Sequence, residues 1–447
     1  MSETREISAG RAADAQLRAE LGVYDDPALQ QYVSGIGLQL AKVSERPSLP
    51  WQFTIVDQPA VNAFALPGGF IYITRGILPF LEDESELAGV LAHAVGHVAA
   101  RHAARQYSPA PSPPLPSGLA ALSPGAQAFG RLSTESLALL FPPYGRDDEL
   151  QVDQRGAGYA ANAGWDPDGV PGMLSTLGRL DEAQGDRGGV PNWLATHPLP
   201  LARIGELRPA IDQLRAGRDG LITGQETLLR RVDGLVFGDN PAQGVVRAST
   251  FMHPPLRVRV DFPAGWDVTT GPQQARAKAP AAEVFMLLQI VPAAQGTVED
   301  VARSSMASAG LQATRGERTV INGLEAFIGT YEGDVAGVGP VASRAAHIGH
   351  DGRVFLVAGL AAAADFAQAD AAFSASLQSF RLLTAAEAEG LEPGRISLHV
   401  VSDGDSWSSL AERSGGLVRG ATLARMNNVS PDSQPRAGTT IKIVVSR

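Results

Sequence analysis

Leu29, Val33, Ile36 and Leu40 recur at intervals of three and four, the spacing of one helix face, with Asp26 placed to cap it and Pro27 at its first position. Residues 51–56 and 70–73 are short apolar runs that predict strands, the second following the turn Pro67-Gly68-Gly69. The Ala/Leu/Val/His-rich stretch 84–106 predicts one long helix and 148–163 a second. Asp166-Pro167 starts another element, and helical pattern runs on to about Val236. Residues 107–125 are crowded with proline and serine, which cannot continue a helix; because they interrupt a domain, a flap is expected.

The pattern changes near 238–244. Leu256, Val258, Val260 and Phe262 alternate with Arg257, Arg259 and Asp261, the period of a strand with one wet face, and further strands are predicted near 284–291, 326–331 and 353–358. Thr297 and Asp300 resemble a capping box, and Phe366, Phe373, Leu377 and Phe380 line another helix. After a Glu/Gly/Pro-containing linker at 385–395 the order is strand, helix, helix, strand. The fold class is therefore multidomain: a mainly α domain with a small β-sheet over 1–237, an α+β domain over 245–385, and a small βααβ domain over 396–447.

A length of 447 residues agrees with about three domains. The 37 basic and 47 acidic residues include no Lys/Arg run able to track a phosphate backbone, which argues against nucleic acid as a partner. No window reaches the roughly 18 to 20 apolar residues of a membrane helix, so no transmembrane segment is expected; the best candidate, 354–364, reads as a buried strand running into a helix. Zero cysteines remove disulfides and thiolate ligands. The opening Met-Ser-Glu-Thr-Arg lacks the pattern of an export signal, so any signal peptide is expected to have been removed or never present.

His93 and His97 sit four apart on the long predicted helix, so both imidazoles leave one face and can converge on a metal ion. Alone, that spacing also fits an ordinary helix with two polar residues. A catalytic zinc takes three protein ligands and keeps one position open. Glu149 is placed to be the third, with Asp153 on the same helical face, where a carboxylate can orient a ligand imidazole. That acidic run alone would be a solvated face. His102, five residues after His97, falls off the ligand face and is assigned to helix surface or packing. His347 and His350 are assigned to a Gly-flanked turn, and His253 to local structure before two prolines.

The segment Leu91-Ala92-His93-Ala94-Val95-Gly96-His97 is an HExxH motif with alanine in the glutamate's place. Beside it stand Val61 to Gly69, Glu86-Leu87-Ala88, Arg146 ahead of Glu149 to Asp153, Gly156, and Thr196-His197-Pro198 with Arg203. Over about the first 236 residues these motifs resemble the gluzincin metallopeptidases, which include the HtpX heat-shock protease, the CAAX prenyl protease and the periplasmic BepA protease. The resemblance implies Zn2+ on His93, His97 and Glu149, with Asp153 hydrogen-bonded to a ligand histidine. It implies an extended substrate laid on an edge strand at Asn62 and Ala63. His197 would approach the metal or the substrate oxyanion with Arg203 near it; in BepA-like members this histidine can cap the metal and hold the enzyme latent, a role open to His197.

A glutamate at position 94 would take a proton from the attacking water and pass it to the leaving amine, and Ala94 does neither. Zinc binding is expected to survive and turnover to be severely reduced. Two origins stand open, an inactivating substitution engineered into an active parent and a natural pseudoprotease. Retention of everything else the site needs favours the first.

The last domain resembles a LysM domain through Val400 to Trp407, Leu410-Ala411, Leu423, Asn427, Gly438 and Ile441-Lys442-Ile443. That resemblance implies a shallow groove for N-acetylglucosamine-containing glycan at Asp405, Ser406 and 428–433, hence peptidoglycan as a partner, with a purely structural cap as the alternative. The middle domain distantly resembles the PsbP/Mog1-like fold and carries no catalytic constellation, which leaves a scaffold or protein-binding module. The HtpX and CAAX relatives are membrane-embedded, so the BepA-like branch is nearer. The expectation is a periplasmic zinc endopeptidase of envelope protein quality control, acting on unfolded or misassembled envelope proteins and here inactive. The alternatives are a non-catalytic chaperone or peptidoglycan-associated scaffold, and a wall-binding protein in which the LysM dominates.

Overall fold

The computed structural model describes residues 1–106, 144–184, 193, 197, 200–271, 274–280, 282–291, 296–335 and 339–446. The flap expected at 107–125 lies outside them. The described residues divide into two compact units, one containing those within 1–106, 144–239 and 393–446, the other those within 240–392.

The first unit opens on α1 (Glu3–Leu21), a helix without an apolar stripe, which buries Glu6, Gly10, Leu17, Glu20 and Leu21. In α2 (Pro27–Lys42) the carboxylate of Asp26 accepts from Leu29 N–H, and the periodic Leu29, Val33, Ile36 and Leu40 are all buried. The strands β1 (Gln52–Val56), β2 (Ala63–Leu66) and β3 (Phe70–Thr74) form a sheet in the order β1-β3-β2, leaving β2 at an edge. Next comes α3 (Glu84–Ala99), capped by Asp83 and buried along all 16 residues. It is shorter than the predicted helix: Arg101 adopts φ 61°, which breaks the helix before α4 (His102–Gln106). Then follow α5 (Arg146–Ala163), α6 (Gly169–Gln184), α7 (Pro200–Arg215) and α8 (Gln225–Val232), and the predicted helical run ends there, ahead of β4 (Val236–Phe237).

The second unit is sheet-rich. It contains β5 (Val245–Arg247), β6 (Thr250–His253), β7 (Val258–Asp261), β8 (Asp267–Gly271), β9 (Gln274–Lys278), β10 (Phe285–Val291) and α9 (Val298–Ser308). After these come β11 (Gln312–Ile321), β12 (Leu324–Val335), β13 (Gly339–His350), β14 (Arg353–Ala362), α10 (Phe366–Ser379), β15 (Arg381–Leu382) and α11 (Ala385–Glu389). One sheet has the order β11-β12-β13-β14-β10-β9-β8 and the other β15-β7-β6-β5. Alternation along β10 and β14 decides which helix covers which face. Leu287 and Leu356 pack with Val301 and Met306 of α9, while Met286, Leu288, Phe355 and Val357 pack with Phe373 and Leu377 of α10. His347 and His350 lie in β13 rather than in a turn; His347 is buried, with Nε2 2.7 Å from Ser305 Oγ. His253 accepts from Leu256 N–H, the local role expected of it. The expected linker holds α11 and the start of the next strand.

The chain then rejoins the first unit with β16 (Gly394–Val400), α12 (Trp407–Glu412), α13 (Gly420–Met426) and β17 (Thr440–Ser446), the predicted strand, helix, helix, strand order. β16 pairs with both β17 and β4, with Gly394 opposite Phe237. Buried Arg75 donates to Val236 O at 2.6 Å and Gly238 O at 2.8 Å, and Lys442 Nζ donates to Leu81 O at 2.7 Å. Ile396, Trp407, Leu423 and Ile443 belong to the same apolar core as Leu87, Leu91 and Val95 of α3. The βααβ segment is thus part of the first unit. No helix among the described residues is long and apolar enough to cross a membrane.

Candidate metal centre

Two helices build the site. α3 carries His93 and His97 one turn apart, and α5 crosses it so closely that a β-carbon at Gly156 would lie 3.2 Å from His93 N. That approach brings Glu149 under the two imidazoles. His93 Nε2 and His97 Nε2 are 3.0 Å apart, Glu149 Oε1 is 3.4 Å from His97 Nε2, and Glu149 Oε2 is 3.9 Å from His93 Nε2. His197 joins them: one ligand atom from each of the four residues lies within 4.8 Å of the others, and all four are buried. Glu149 Oε1 has no hydrogen-bond partner among the described residues. Buried imidazole nitrogens facing a buried carboxylate oxygen without a partner are what a metal site needs, so the donor set fits a metal ion.

Behind these side chains lie Asp153 and Arg203. Asp153 Oδ1 lies 2.8 Å from His93 Nδ1. Arg203 pairs with Glu149 Oε2 and stands 3.0 Å from Asp153 Oδ2. It therefore faces the two carboxylates from behind and is not among the residues lining the cleft. Burial pushes the pKa of His93 and His97 well down, aided by the neighbouring imidazoles, and takes His197 to about 3, so all three rings are in the neutral, ligating form at pH 7. Burial also lowers Arg203 to about 10, which leaves it cationic at that pH.

In front of His93 and His97 is a narrow cleft lined by Ala63, Phe64 and Ala65 of β2, by Ala94, and by Tyr144, Trp193 and His197. Ala94 thus faces the space where the motif's glutamate would work. Ala63 pairs with Ile73, while Asn62 sits just before β2, buried, its N–H given to Thr74 Oγ1. His197 Nδ1 donates to Trp193 O at 3.1 Å, and the indole stacks on its ring at 4.0 Å. Tyr144 stacks on His97 at 3.9 Å.

Comparison with known proteins agrees with this geometry. The family described as Peptidase family M48 matches residues 27–211, and the LysM domain matches residues 399–444. The chain carries an M48 peptidase domain. This M48 domain is similar to a beta-barrel assembly-enhancing protease of Escherichia coli (strain K12), 30% identical over 234 residues, which cover 48% of this chain and 45% of that protein. It is also similar to mitochondrial metalloendopeptidase OMA1 of Schizosaccharomyces pombe, 31% identical over 189 residues, covering 42% and 55% of the two chains. The chain spans about half the length of the curated relatives it matches. Among solved structures, cyanobacterial PsbP (CyanoP) from Synechocystis sp. PCC 6803 is 15% identical at a TM-score of 0.26, covering 31% of this chain and 95% of that one. A protein of unknown function, PA94 from Pseudomonas aeruginosa, is 16% identical at 0.22, covering 27% and 88%.

Three residues around the M48 centre were not read as site residues from the sequence. Tyr144 and Trp193 reach the ligands by stacking, for which the only local hint is that Trp193 lies four residues before His197. His102 is buried as packing predicts, but its Nδ1 lies 3.3 Å from His97 Nδ1 because the break at Arg101 turns it back. In the LysM segment, Asp405 accepts from His399 Nε2 and Ser402 N–H, both at 2.8 Å, and pairs with Arg413 at 3.0 Å. Ser406 caps α12. Both expected glycan contacts are therefore committed to the local framework, whereas Asn428, Ser430 and Ser433 are exposed.

Proposed function

We propose that this chain is a periplasmic zinc endopeptidase held silent by Ala94, whose form with glutamate at that position acts on unfolded or misassembled envelope proteins. The observation that carries this reading is the meeting of His93, His97 and Glu149 with edge strand β2 and Ala94 in one buried cleft. An imidazole-rich set with one carboxylate suits zinc better than a hard cation such as calcium or magnesium. Bound zinc supplies Lewis acidity toward a carbonyl oxygen and toward water.

The chain's own residues do the rest. Asp153 orients His93, and Arg203 fixes the carboxylates of Glu149 and Asp153. β2 aligns an extended peptide by strand addition, which reads main chain more than side chain and tolerates varied sequences. His197 is placed to cap the metal or to face the developing oxyanion. No side chain at position 94 takes a proton or returns it. The names of the relatives and the LysM domain support an envelope setting with peptidoglycan as a partner. The second unit is a scaffold or protein-binding module in this reading.

The test is Ala94→Glu assayed on an unfolded protein with and without a zinc chelator. Cleavage is expected to rise about 100- to 10,000-fold over the parent chain and to vanish with chelator. An Ala94→Glu chain that binds unfolded protein but never cuts it would instead support a natural pseudoprotease acting as chaperone or scaffold, the reading that Ala94 itself motivates.

A further inference from the structure

The imidazoles of the cluster have their outer nitrogens held by different kinds of partner. His93 Nδ1 meets a carboxylate, Asp153, and His197 Nδ1 meets a carbonyl, that of Trp193. His97 Nδ1 meets another imidazole nitrogen, Nδ1 of His102, at 3.3 Å. Two such nitrogens share one proton. Ligation through His97 Nε2 leaves that proton on His97 Nδ1, so His102 accepts at Nδ1 and carries its own proton on Nε2. There it finds acceptors in Asp148 Oδ1 and Gln151 Oε1, each at 3.2 Å. The proton order is fixed from the cluster outward.

A continuous α-helix would carry residue 102 about 140° around the axis from His97, away from the site. Arg101 prevents this by taking the left-handed conformation at φ 61°, unfavourable for a residue with a β-carbon. It is held there by Nη2 3.1 Å from buried Glu6 and by its N–H to Val98 O at 3.0 Å. This turn at the end of α3 brings the His102 imidazole back against His97.

We propose that His102 is a positioning residue for the metal centre: it fixes the tautomer and ring orientation of His97 and ties them to Asp148 and Gln151. This rests on the reading of His93, His97 and Glu149 as ligands. The experiment measures zinc affinity of the chain with Ala94 in place, by competition with a chromogenic chelator, alongside thermal melting of the metal-free protein. His102→Leu is expected to lose about 10- to 100-fold in affinity. His102→Asn, whose amide oxygen replaces Nδ1 as acceptor, is expected to keep most of it. Equal affinities for parent, Leu and Asn variants overturn the proposal, as do equal losses in both variants accompanied by lower metal-free melting. If His102→Leu does not fold, Asp148→Ala with Gln151→Leu on the surface carries the test: weaker zinc binding with unchanged melting supports the relay, and unchanged binding overturns it. His97→Ala separates the two levels. If it leaves zinc affinity intact, the ligand set itself is wrong; if it abolishes binding while His102 variants are silent, only this proposal fails.

Discussion

Lys442 shows how one residue of the LysM segment enters the energetics of the first unit. It is 2% exposed, with its ammonium on Leu81 O and Glu82, Asp83 and Glu86 nearby. Burial lowers its pKa from 10.5 to about 8, against the opposing pull of those acidic groups. Across that interval the unfolded chain binds the proton and the folded one does not, so the contribution of Lys442 rises as pH climbs from about 8 to 10.5 and is lost as pH falls through 8. Lys442→Met is expected to lack this rise, changing the difference in unfolding free energy by on the order of 3 kcal/mol over the window. Denaturant unfolding of both chains at several pH values checks it; parallel profiles would show that Lys442 titrates normally.

At the scale of elements, the metal helix is held by close crossings as well as by side-chain packing. A β-carbon at Gly89 of α3 would lie 2.7 Å from Gly169 O at the start of α6. Backbone cannot swing aside as a side chain does, so Gly89→Ala is expected to cost about 1–3 kcal/mol in chemical denaturation, and an unchanged midpoint would refute the crossing as drawn. What was legible in the sequence at this scale was whatever obeys local rules. The apolar face and Asp26 cap of α2, the Thr297–Asp300 capping box and the alternation of Val258 and Val260 all stand in the structure. α1 was not legible because Gly10 and the buried Glu6, paired with Arg46, replace an apolar stripe. β11 was hidden because it is nearly all exposed and so shows no alternation. In the site, the spacing of His93 and His97 and the placing of Glu149 pointed to a metal, whereas His102 depends on one dihedral at Arg101, and Tyr144 and Trp193 on tertiary stacking.

At the scale of the whole molecule, the chain leaves the first unit at β4 and re-enters at β16, and the two points of exit and return, Phe237 and Gly394, are opposite each other in one antiparallel pair. Topologically, β4 and β16 are the arms of a β-hairpin whose turn has been swollen into an entire folded unit. Replacing residues 238–393 by Asn-Gly, which supplies the tight turn such a pair needs, is expected to leave a chain that melts cooperatively and matches the full chain in the zinc affinity proposed for His93, His97 and Glu149. A chain that instead melts as a loose, non-cooperative body would mean that the interrupted sheet cannot close by itself. The pairing makes that junction a port, a position at which evolution or an engineer can exchange the cargo while the ends of the first unit stay where they are.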